Sequence, residues 1–283
     1  MIVNAKQMLD DAKSGAYAVP HFNINNLEWT RYVLEICEEL RSPVILGVSE
    51  GAAKYMGGYK TVYNIVTGLI EDLGITIPVA LHLDHGKSSV ACLAAIDAGF
   101  TSVMIDSSAL SLLDNIAATN TVVEYAHARG VSVEAEMGHI GGAEDSAEDD
   151  IAYAKLDDCV ELVNKTGIDF LAPALGSVHG LYKGEAKIDL VRMKLINDVL
   201  NIPLVLHGGT GIPDETIKGA IECGVCKINI NTELQVTWAA AVRSFLNNNL
   251  EVYDPRKIIG AGEFALKQSA KEKIMLFKSN NKA

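Results

Sequence analysis

Short apolar runs recur along the chain, and most of the stretches between them carry apolar residues at helical spacing. In the stretch 26–41, for example, Leu27, Val33, Ile36 and Leu40 fall on one side of a helix. The apolar runs are bounded by glycine, proline or polar residues, which is typical of buried strands. The pattern predicts eight strands, at 18–23, 43–48, 79–83, 102–105, 131–135, 170–174, 205–206 and 226–229.

Eight strands that alternate with helices are the pattern of a parallel (β/α)8 barrel, also called a TIM barrel. Helices predicted at 233–247 and 263–277 follow the last strand, so the barrel is expected to carry a C-terminal helical extension. No glycine- or serine-rich linker and no shift in composition divides the chain. Residues 1–283 are therefore predicted to form a single domain.

Composition narrows the possible partners and the cellular compartment. The chain has 283 residues, 49% of them hydrophobic, which is enough for one large core. A net charge of -12 gives a nucleic acid or an anionic membrane no electrostatic attraction. The five cysteines are scattered, and we interpret them as small buried apolar residues. With no signal peptide and no apolar run of membrane-spanning length, a cytoplasmic protein is expected.

Polar and ionisable residues follow the predicted strands at the point where each strand ends. In a parallel barrel these ends meet at one face, the C-terminal mouth, where active sites are built. Polar residues scattered through a core would not keep to one end, so the sequence predicts a site at this mouth. The residues are Asn23, Glu50, Asp84, His85, Asp106, Glu136, His179, His207 and Asn229.

Three histidines at strand ends form the most specific part of this pattern. His85, His179 and His207 follow the third, sixth and seventh predicted strands. Three imidazoles that converge on one point are the ligand set of a catalytic zinc site, with a fourth position open for substrate. The alternative is that each histidine is a separate hydrogen-bonded polar residue. His82 is expected in the barrel interior or beside the ligands, by strand alternation.

Two carboxylates are candidates for proton transfer. Asp84 adjoins His85 but is expected to point to the other side of the chain, beside a metal rather than bound to it. Its alternative role is as the cap of the following helix, for which Ser88 competes. Glu144 lies in a loop with glycine hinges and could move over a bound substrate; the alternative is an ordinary acidic surface loop.

Two amide-rich turns predict a phosphate site. Gly208–Thr210 follows the seventh strand, and Asn229–Thr232 ends the eighth strand and opens a helix. Glycines allow backbone N–H groups to approach an anion, and this barrel class usually binds phosphate after strands seven and eight. A phosphorylated substrate that bridges these turns and a metal is the expected ligand.

These motifs resemble one family, the class II, zinc-dependent fructose-bisphosphate and tagatose-bisphosphate aldolases. The resemblance runs from Tyr-Ala-Val-Pro-His-Phe-Asn at 17–23 to Tyr-Asp-Pro-Arg at 253–256. Its most specific pieces are His-Leu-Asp-His-Gly at 82–86, Gly-Gly-Ala-Glu-Asp at 141–145, Gly-Ser-Val-His-Gly at 176–180, His-Gly-Gly-Thr-Gly at 207–211 and Lys-Ile-Asn-Ile-Asn-Thr-Glu at 227–233.

The resemblance implies a role for each matched position. His85, His179 and His207 would hold zinc, and Asp106 and Glu136 would hold an alternative or second metal. Asp84 would act on the aldehyde oxygen, and Glu144 would move the carbon-bound proton. Backbone carbonyls of Gly180 and Gly208 would bind a monovalent cation, Na⁺ or K⁺. The implied substrate-binding positions are Asn23, Ser49, Gly180, Gly208, Gly209, Thr210, Asn229, Ile230, Asn231, Thr232 and Arg256.

The implied activity is reversible aldol cleavage of fructose 1,6-bisphosphate to dihydroxyacetone phosphate and glyceraldehyde 3-phosphate in glycolysis and gluconeogenesis. The tagatose epimer or another ketose phosphate is the alternative substrate. A homodimer or homotetramer is expected, in which Arg256 would serve a neighbouring subunit. Two departures from the family pattern concern loops: Ser-Ser-Ala-Leu-Ser at 107–111 lacks the usual His and Pro, and Ser146 replaces a glycine.

Two other functions remain as alternatives at this level. Lys227 shares its side of the eighth strand with Asn229, and a buried lysine could form a Schiff base with a ketone. Such an aldolase would not need three histidines and would be insensitive to chelators. The second alternative is an inactive barrel that serves as a binding protein; the filled functional positions argue against it.

Overall fold

A computed structural model of the chain describes residues 2–142, 153–182, 184 and 186–283. The strands are β1 Val19–Asn23, β2 Val44–Ser49, β3 Val79–Gly86, β4 Ser102–Ile105, β5 Ser132–Met137, β6 Gly141–Gly142, β7 Phe170–Pro173, β8 Val178–His179, β9 Leu204–Leu206 and β10 Val225–Ile230. The helices are α1 Ala5–Gly15, α2 Leu27–Glu39, α3 Glu50–Tyr55, α4 Tyr59–Asp72, α5 Ser89–Ala98, α6 Leu112–His127, α7 Leu156–Thr166, α8 Leu190–Leu200, α9 Asp214–Glu222, α10 Thr232–Asn248, α11 Pro255–Gly260 and α12 Glu263–Leu276.

Eight of the strands close into a parallel barrel in the order β1-β10-β9-β7-β5-β4-β3-β2. The first and last strands of the barrel pair directly, with His21 opposite Asn229, so the sheet has no free edge. The two remaining strands, β6 and β8, form a separate two-stranded sheet above the barrel. The predicted (β/α)8 fold is therefore confirmed, with each predicted strand within a few residues of an observed one.

The barrel interior is apolar at one end and polar at the other. At the N-terminal end, inward side chains such as Ile45, Phe170 and Val205 pack against Met8 and Leu9 of α1. This helix covers the bottom of the barrel and contacts β1 and β10. Farther along the strands the inward side chains are polar, and they include buried His21, His82, Glu134 and Lys227. Burying such groups is costly unless they are paired, so this layer depends on its internal contacts.

Helices cover the outside of the barrel, and the last of them closes the ring. α12 packs against α2 and α10, and Trp29 and Trp238 lie with ring centroids 6.0 Å apart at this junction. The predicted C-terminal helical extension is thus present as α10 to α12. In the described ranges, no helix is long and apolar enough to cross a membrane.

Candidate active site

The three predicted histidines meet at the barrel mouth. The ring centroid of His85 lies 4.8 Å from that of His179 and 4.7 Å from that of His207. His85 Nε2 is 3.0 Å from His207 Nδ1. One nitrogen of each ring lies within 4.8 Å of the others. His85 ends β3 and His207 directly follows β9, whereas His179 is held beyond β7 on the short strand β8. The alternative of three separate polar residues does not describe this cluster.

The end of β3 is irregular, and this irregularity places two adjacent side chains in one cavity. The register between β3 and β4 shifts between Leu83 and Gly86, and His85 has a left-handed backbone with φ of 49°. Strict alternation therefore fails here, and both Asp84 and His85 line the same cavity. The expectation that Asp84 points away from the side of His85 is wrong for this reason. Left-handed backbone is uncommon for residues other than glycine and often marks functional sites.

Carboxylates surround His85 on the side away from the other rings. His85 Nδ1 lies 2.8 Å from Asp106 Oδ2, which orients the ring with Nε2 towards the cluster. Burial lowers the pKa of His85, but the hydrogen bond to Asp106 and the charge of Asp84 outweigh it and raise that pKa to about 10. Burial and the charge of Asp106 raise the pKa of Glu136 to about 8. These are the signs of a strongly negative site that favours a cation.

The other two imidazoles are held neutral. Burial first, and then the nearby His85, keep the pKa values of His179 and His207 well below the usual histidine value. Neutral imidazole is the form that donates a lone pair to a metal. The cluster therefore combines two neutral donors with one histidine in a negative field, and its chemistry fits a divalent cation of the zinc type.

Asp84 is buried and held in one orientation from two sides. Asn23 donates to its Oδ2 at 2.8 Å, and Asn229 donates to its Oδ1 at 3.3 Å. Burial raises the pKa of Asp84, but neighbouring His21 and His85 outweigh it and hold that pKa well below its ordinary value. The alternative role as a helix cap is excluded, because Ser88 caps α5 by accepting from the Ala91 amide.

The turns after β9 and β10 form a second part of the cavity. Gly180, Gly208, Thr210, Asn231 and Thr232 line it, together with Asn23, His179 and Asn229. The N-terminus of α10 begins at Thr232 beside this space, and helix N-termini favour anions. Gly208 cannot be replaced easily, because a Cβ there would lie 2.2 Å from the Val178 carbonyl oxygen and φ is +64°. Its carbonyl accepts a hydrogen bond from the Tyr182 hydroxyl at 3.1 Å.

The main cavity has a volume of about 310 Å³ and includes residues that the sequence pattern did not single out. Asn25, Lys87, His139 and Gln235 line it beside the predicted Ser49, Asp106 and Glu136. Three of them could have been found from their position just past a strand end: Asn25 follows β1, Lys87 follows β3 and His139 follows β5.

Other predicted site residues lie elsewhere. The Gly209 amide donates to the Asn229 carbonyl at 3.0 Å, so it is already used within the backbone. The Ile230 side chain is buried in the outer core. Arg256 is 89% exposed, pairs with Asp254 at 2.8 Å and lines a separate surface depression. Glu144 and Ser146 lie outside the described residues.

Lys227 is committed to an ion pair. Its Nζ donates to Glu134 Oε2 at 2.7 Å, and both side chains are fully buried. Lys227 does not line either cavity at the mouth as the described residues define them. A Schiff base requires the amine to meet a substrate carbonyl, so this geometry disfavours the lysine-dependent alternative.

Fold and site together define a class: metal-dependent (β/α)8 enzymes whose chemistry takes place at the C-terminal mouth. Residues 3–282 match the family model described as fructose-bisphosphate aldolase class-II, and the chain belongs to that family.

Similar proteins agree with this assignment. The chain is 59% identical over 283 residues to a fructose-bisphosphate aldolase of Geobacillus stearothermophilus, covering 100% of this chain and 99% of that one. It is 57% identical, with the same coverage, to a fructose-bisphosphate aldolase of Staphylococcus aureus strain Mu50. The solved structure of the YdjI aldolase from Escherichia coli K12 matches with a TM-score of 0.87 and 34% identity, covering 100% of both chains.

The predicted family and enzyme class are thus confirmed. The chain is an aldolase, a carbon–carbon lyase, of a metal-dependent family. The metal dependence agrees with the histidine and carboxylate clusters at the mouth.

Proposed function

We propose that this chain catalyses the reversible aldol cleavage of fructose 1,6-bisphosphate, as the names of its relatives suggest. The products are dihydroxyacetone phosphate and glyceraldehyde 3-phosphate, and the role is glycolytic and gluconeogenic. One observation carries the proposal: Asp84, His85 and His179 line one cavity that continues to the N-terminus of α10, and His207 completes the histidine cluster at its wall. A phosphorylated ketose can span these three features at once.

We infer that His85, His179 and His207 hold a catalytic zinc ion. Three imidazole donors with an open side towards the cavity suit zinc, which when bound acts as a Lewis acid towards a ketone oxygen. The alternative or second metal position is His85, Asp106 and Glu136, where Glu136 Oε2 is buried and has no hydrogen-bond partner among the described residues. The carbonyls of Gly180 and Gly208 are the proposed ligands of a monovalent cation. The Gly208 carbonyl oxygen would then bind the cation and also accept the hydrogen bond from the Tyr182 hydroxyl.

Asp84 is the proposed acid and base at the aldehyde oxygen. In cleavage it takes the proton of the C4 hydroxyl as the C3–C4 bond breaks, and in condensation it returns that proton. Asn23 and Asn229 fix the carboxylate, so a proton can be transferred without reorientation of the side chain. Glu144 is the proposed group that removes and returns the carbon-bound proton.

The dihydroxyacetone phosphate end is proposed to bind at the turns after β9 and β10. Backbone amides near Gly208 and Thr210 and the start of α10 offer donors there. Arg256 is proposed to serve the site of a neighbouring subunit in a homodimer or homotetramer, because its own side chain is exposed outside the cavity. A cytoplasmic location is proposed with the glycolytic role.

Lys87 is expected to contact the phosphate farther from the turns. Among the described residues that line the main cavity, Lys87 is the only one with a cationic lysine or arginine side chain. Replacement of Lys87 with Met should lower kcat/KM for fructose 1,6-bisphosphate about tenfold, equivalent to about 1.4 kcal/mol. Steady-state kinetics with fructose 1-phosphate, which lacks the second phosphate, should show no such loss. Lys54→Met, at an exposed position of α3, is the control, and equal losses with both sugars would contradict the assignment.

The epimer preference tests the proposed substrate. Fructose and tagatose bisphosphates differ only in configuration at C4 and carry the same two phosphates, so selectivity depends on how Asp84 and its neighbours meet the C4 hydroxyl. We expect a higher kcat/KM for fructose 1,6-bisphosphate, since this ratio reports differential binding of the transition states. Measuring both sugars with one enzyme preparation checks this; a clear preference for the tagatose epimer would contradict the substrate and leave the aldolase family unchanged.

A further inference from the structure

A buried ion pair lies directly beneath the histidine cluster. Glu134 of β5 and Lys227 of β10 are fully buried inside the barrel. Lys227 Nζ donates to Glu134 Oε2 at 2.7 Å, and His207 Nε2 lies 2.8 Å from Glu134 Oε1. Both oxygens of the carboxylate are therefore engaged. A buried ion pair is costly to desolvate, and it persists only where the geometry and further hydrogen bonds compensate.

These contacts determine which nitrogen of His207 carries the hydrogen. A carboxylate is an acceptor, so the hydrogen of the neutral imidazole must lie on Nε2, and Nδ1 keeps its lone pair. A second contact agrees, because the Asn229 amide donates to His207 Nδ1 at 3.2 Å. The same nitrogen, Nδ1, lies 3.0 Å from His85 Nε2 within the cluster.

We propose that Glu134 and Lys227 are positioning residues for the metal: Glu134 holds His207 with Nδ1 towards the cluster, and Lys227 compensates the buried charge of Glu134. This inference rests on the proposed role of His207 as a metal ligand. Glu134 does not line the described cavity, so it acts through His207. Asp106 holds His85 Nδ1 in the same way from the other side, so two of the three rings are fixed by a carboxylate.

The proposal predicts the effect of two substitutions on metal affinity. Glu134→Gln keeps the size of the side chain, but its amide can donate to His207 Nε2 and so favour the wrong tautomer. Lys227→Met leaves the carboxylate buried without its counter-charge. Loss of a group that orients a metal ligand typically costs 10–100-fold in metal affinity, and both variants should bind zinc more weakly by about this factor.

Competition with a chromogenic chelator measures the zinc dissociation constants. Lys267→Met is the matched control, because it also removes a lysine from contact with a glutamate, Glu263, but on the outer helix α12. We expect the control to bind zinc as tightly as the unsubstituted protein. A folded Glu134→Gln variant with unchanged zinc affinity would overturn the proposal. Failure of the unsubstituted protein to bind zinc would instead overturn the proposed function.

A measurement on the unsubstituted protein covers the case in which the variants do not fold. After chelator treatment, ¹⁵N NMR of histidine-labelled protein reports the tautomer of each ring, and the His207 signals are assigned by their loss in His207→Gln. The proposal predicts hydrogen on Nε2 of His207. Hydrogen on Nδ1 would overturn it, whatever the metal affinity of the variants.

Discussion

Replacement of His207 with Ala should remove tightly bound zinc and aldol cleavage together. His207 is almost completely buried, and its Nδ1 lies in the cluster with His85 and His179, so its loss leaves two ligands. A Lewis acid supplies several kcal/mol of transition-state stabilisation, which at 1.36 kcal/mol per tenfold corresponds to about 10³-fold or more in kcat. Zinc content and kcat measured on the same preparation check this.

His127→Ala provides the matched control for this substitution. His127 lies on α6 at the outer surface, where its Nε2 is 2.9 Å from Asp169 Oδ2. We expect this variant to keep its zinc and its activity, because His127 ends α6 just before β5 begins and so lies at the opposite end of the barrel from the mouth. Full activity of a folded His207→Ala variant without zinc would contradict the proposed ligand set.

Substitution of the two proposed acid–base carboxylates should separate two steps of the reaction. Glu144→Ala should slow exchange of the carbon-bound proton of dihydroxyacetone phosphate with solvent, because this exchange needs no aldehyde. Asp84→Ala should lower cleavage by about 10²–10⁴-fold and spare the exchange relative to cleavage, because Asp84 acts on the aldehyde oxygen. Proton exchange followed by NMR and cleavage followed by a coupled assay give the two rates.

The control for this comparison is Asp198→Ala, at an exposed aspartate that pairs with Lys194 on α8. It should change neither rate. Equal loss of exchange in Asp84→Ala and Glu144→Ala would show that the roles are assigned wrongly, or that Asp84 mainly maintains the histidine cluster through its contacts with Asn23 and Asn229.

The barrel strands were predictable because each is a short apolar run with a polar end, and periodicity alone reveals such runs. Helix α1 gave a weaker signal, since two of its four buried residues, Ala5 and Ala12, are alanines. Helix α7 follows the long non-periodic acidic segment and was not predicted either. The buried residues of both helices nevertheless recur at helical spacing, so periodicity was the available signal for them.

Residues at the site were predictable where they follow a strand end and not where the backbone departs from a regular strand. The three histidines and Asp84 were found in this way, and the structure brings them together. The shared side of Asp84 and His85 was not predictable, because it depends on a register shift and a left-handed residue. Glu134 lies two residues before Glu136 and so on the same side of β5, which makes its inward position predictable. Its pairing with Lys227 was not predictable, because it depends on closure of the barrel.

We propose that the three histidines hold a zinc ion on which the aldolase reaction depends. The most direct test measures the metal content of the purified protein together with its cleavage of fructose 1,6-bisphosphate before and after chelation. We expect about one zinc per chain, loss of activity in proportion to the zinc removed, and recovery when zinc is restored. Full activity in a preparation shown to contain no metal would contradict it.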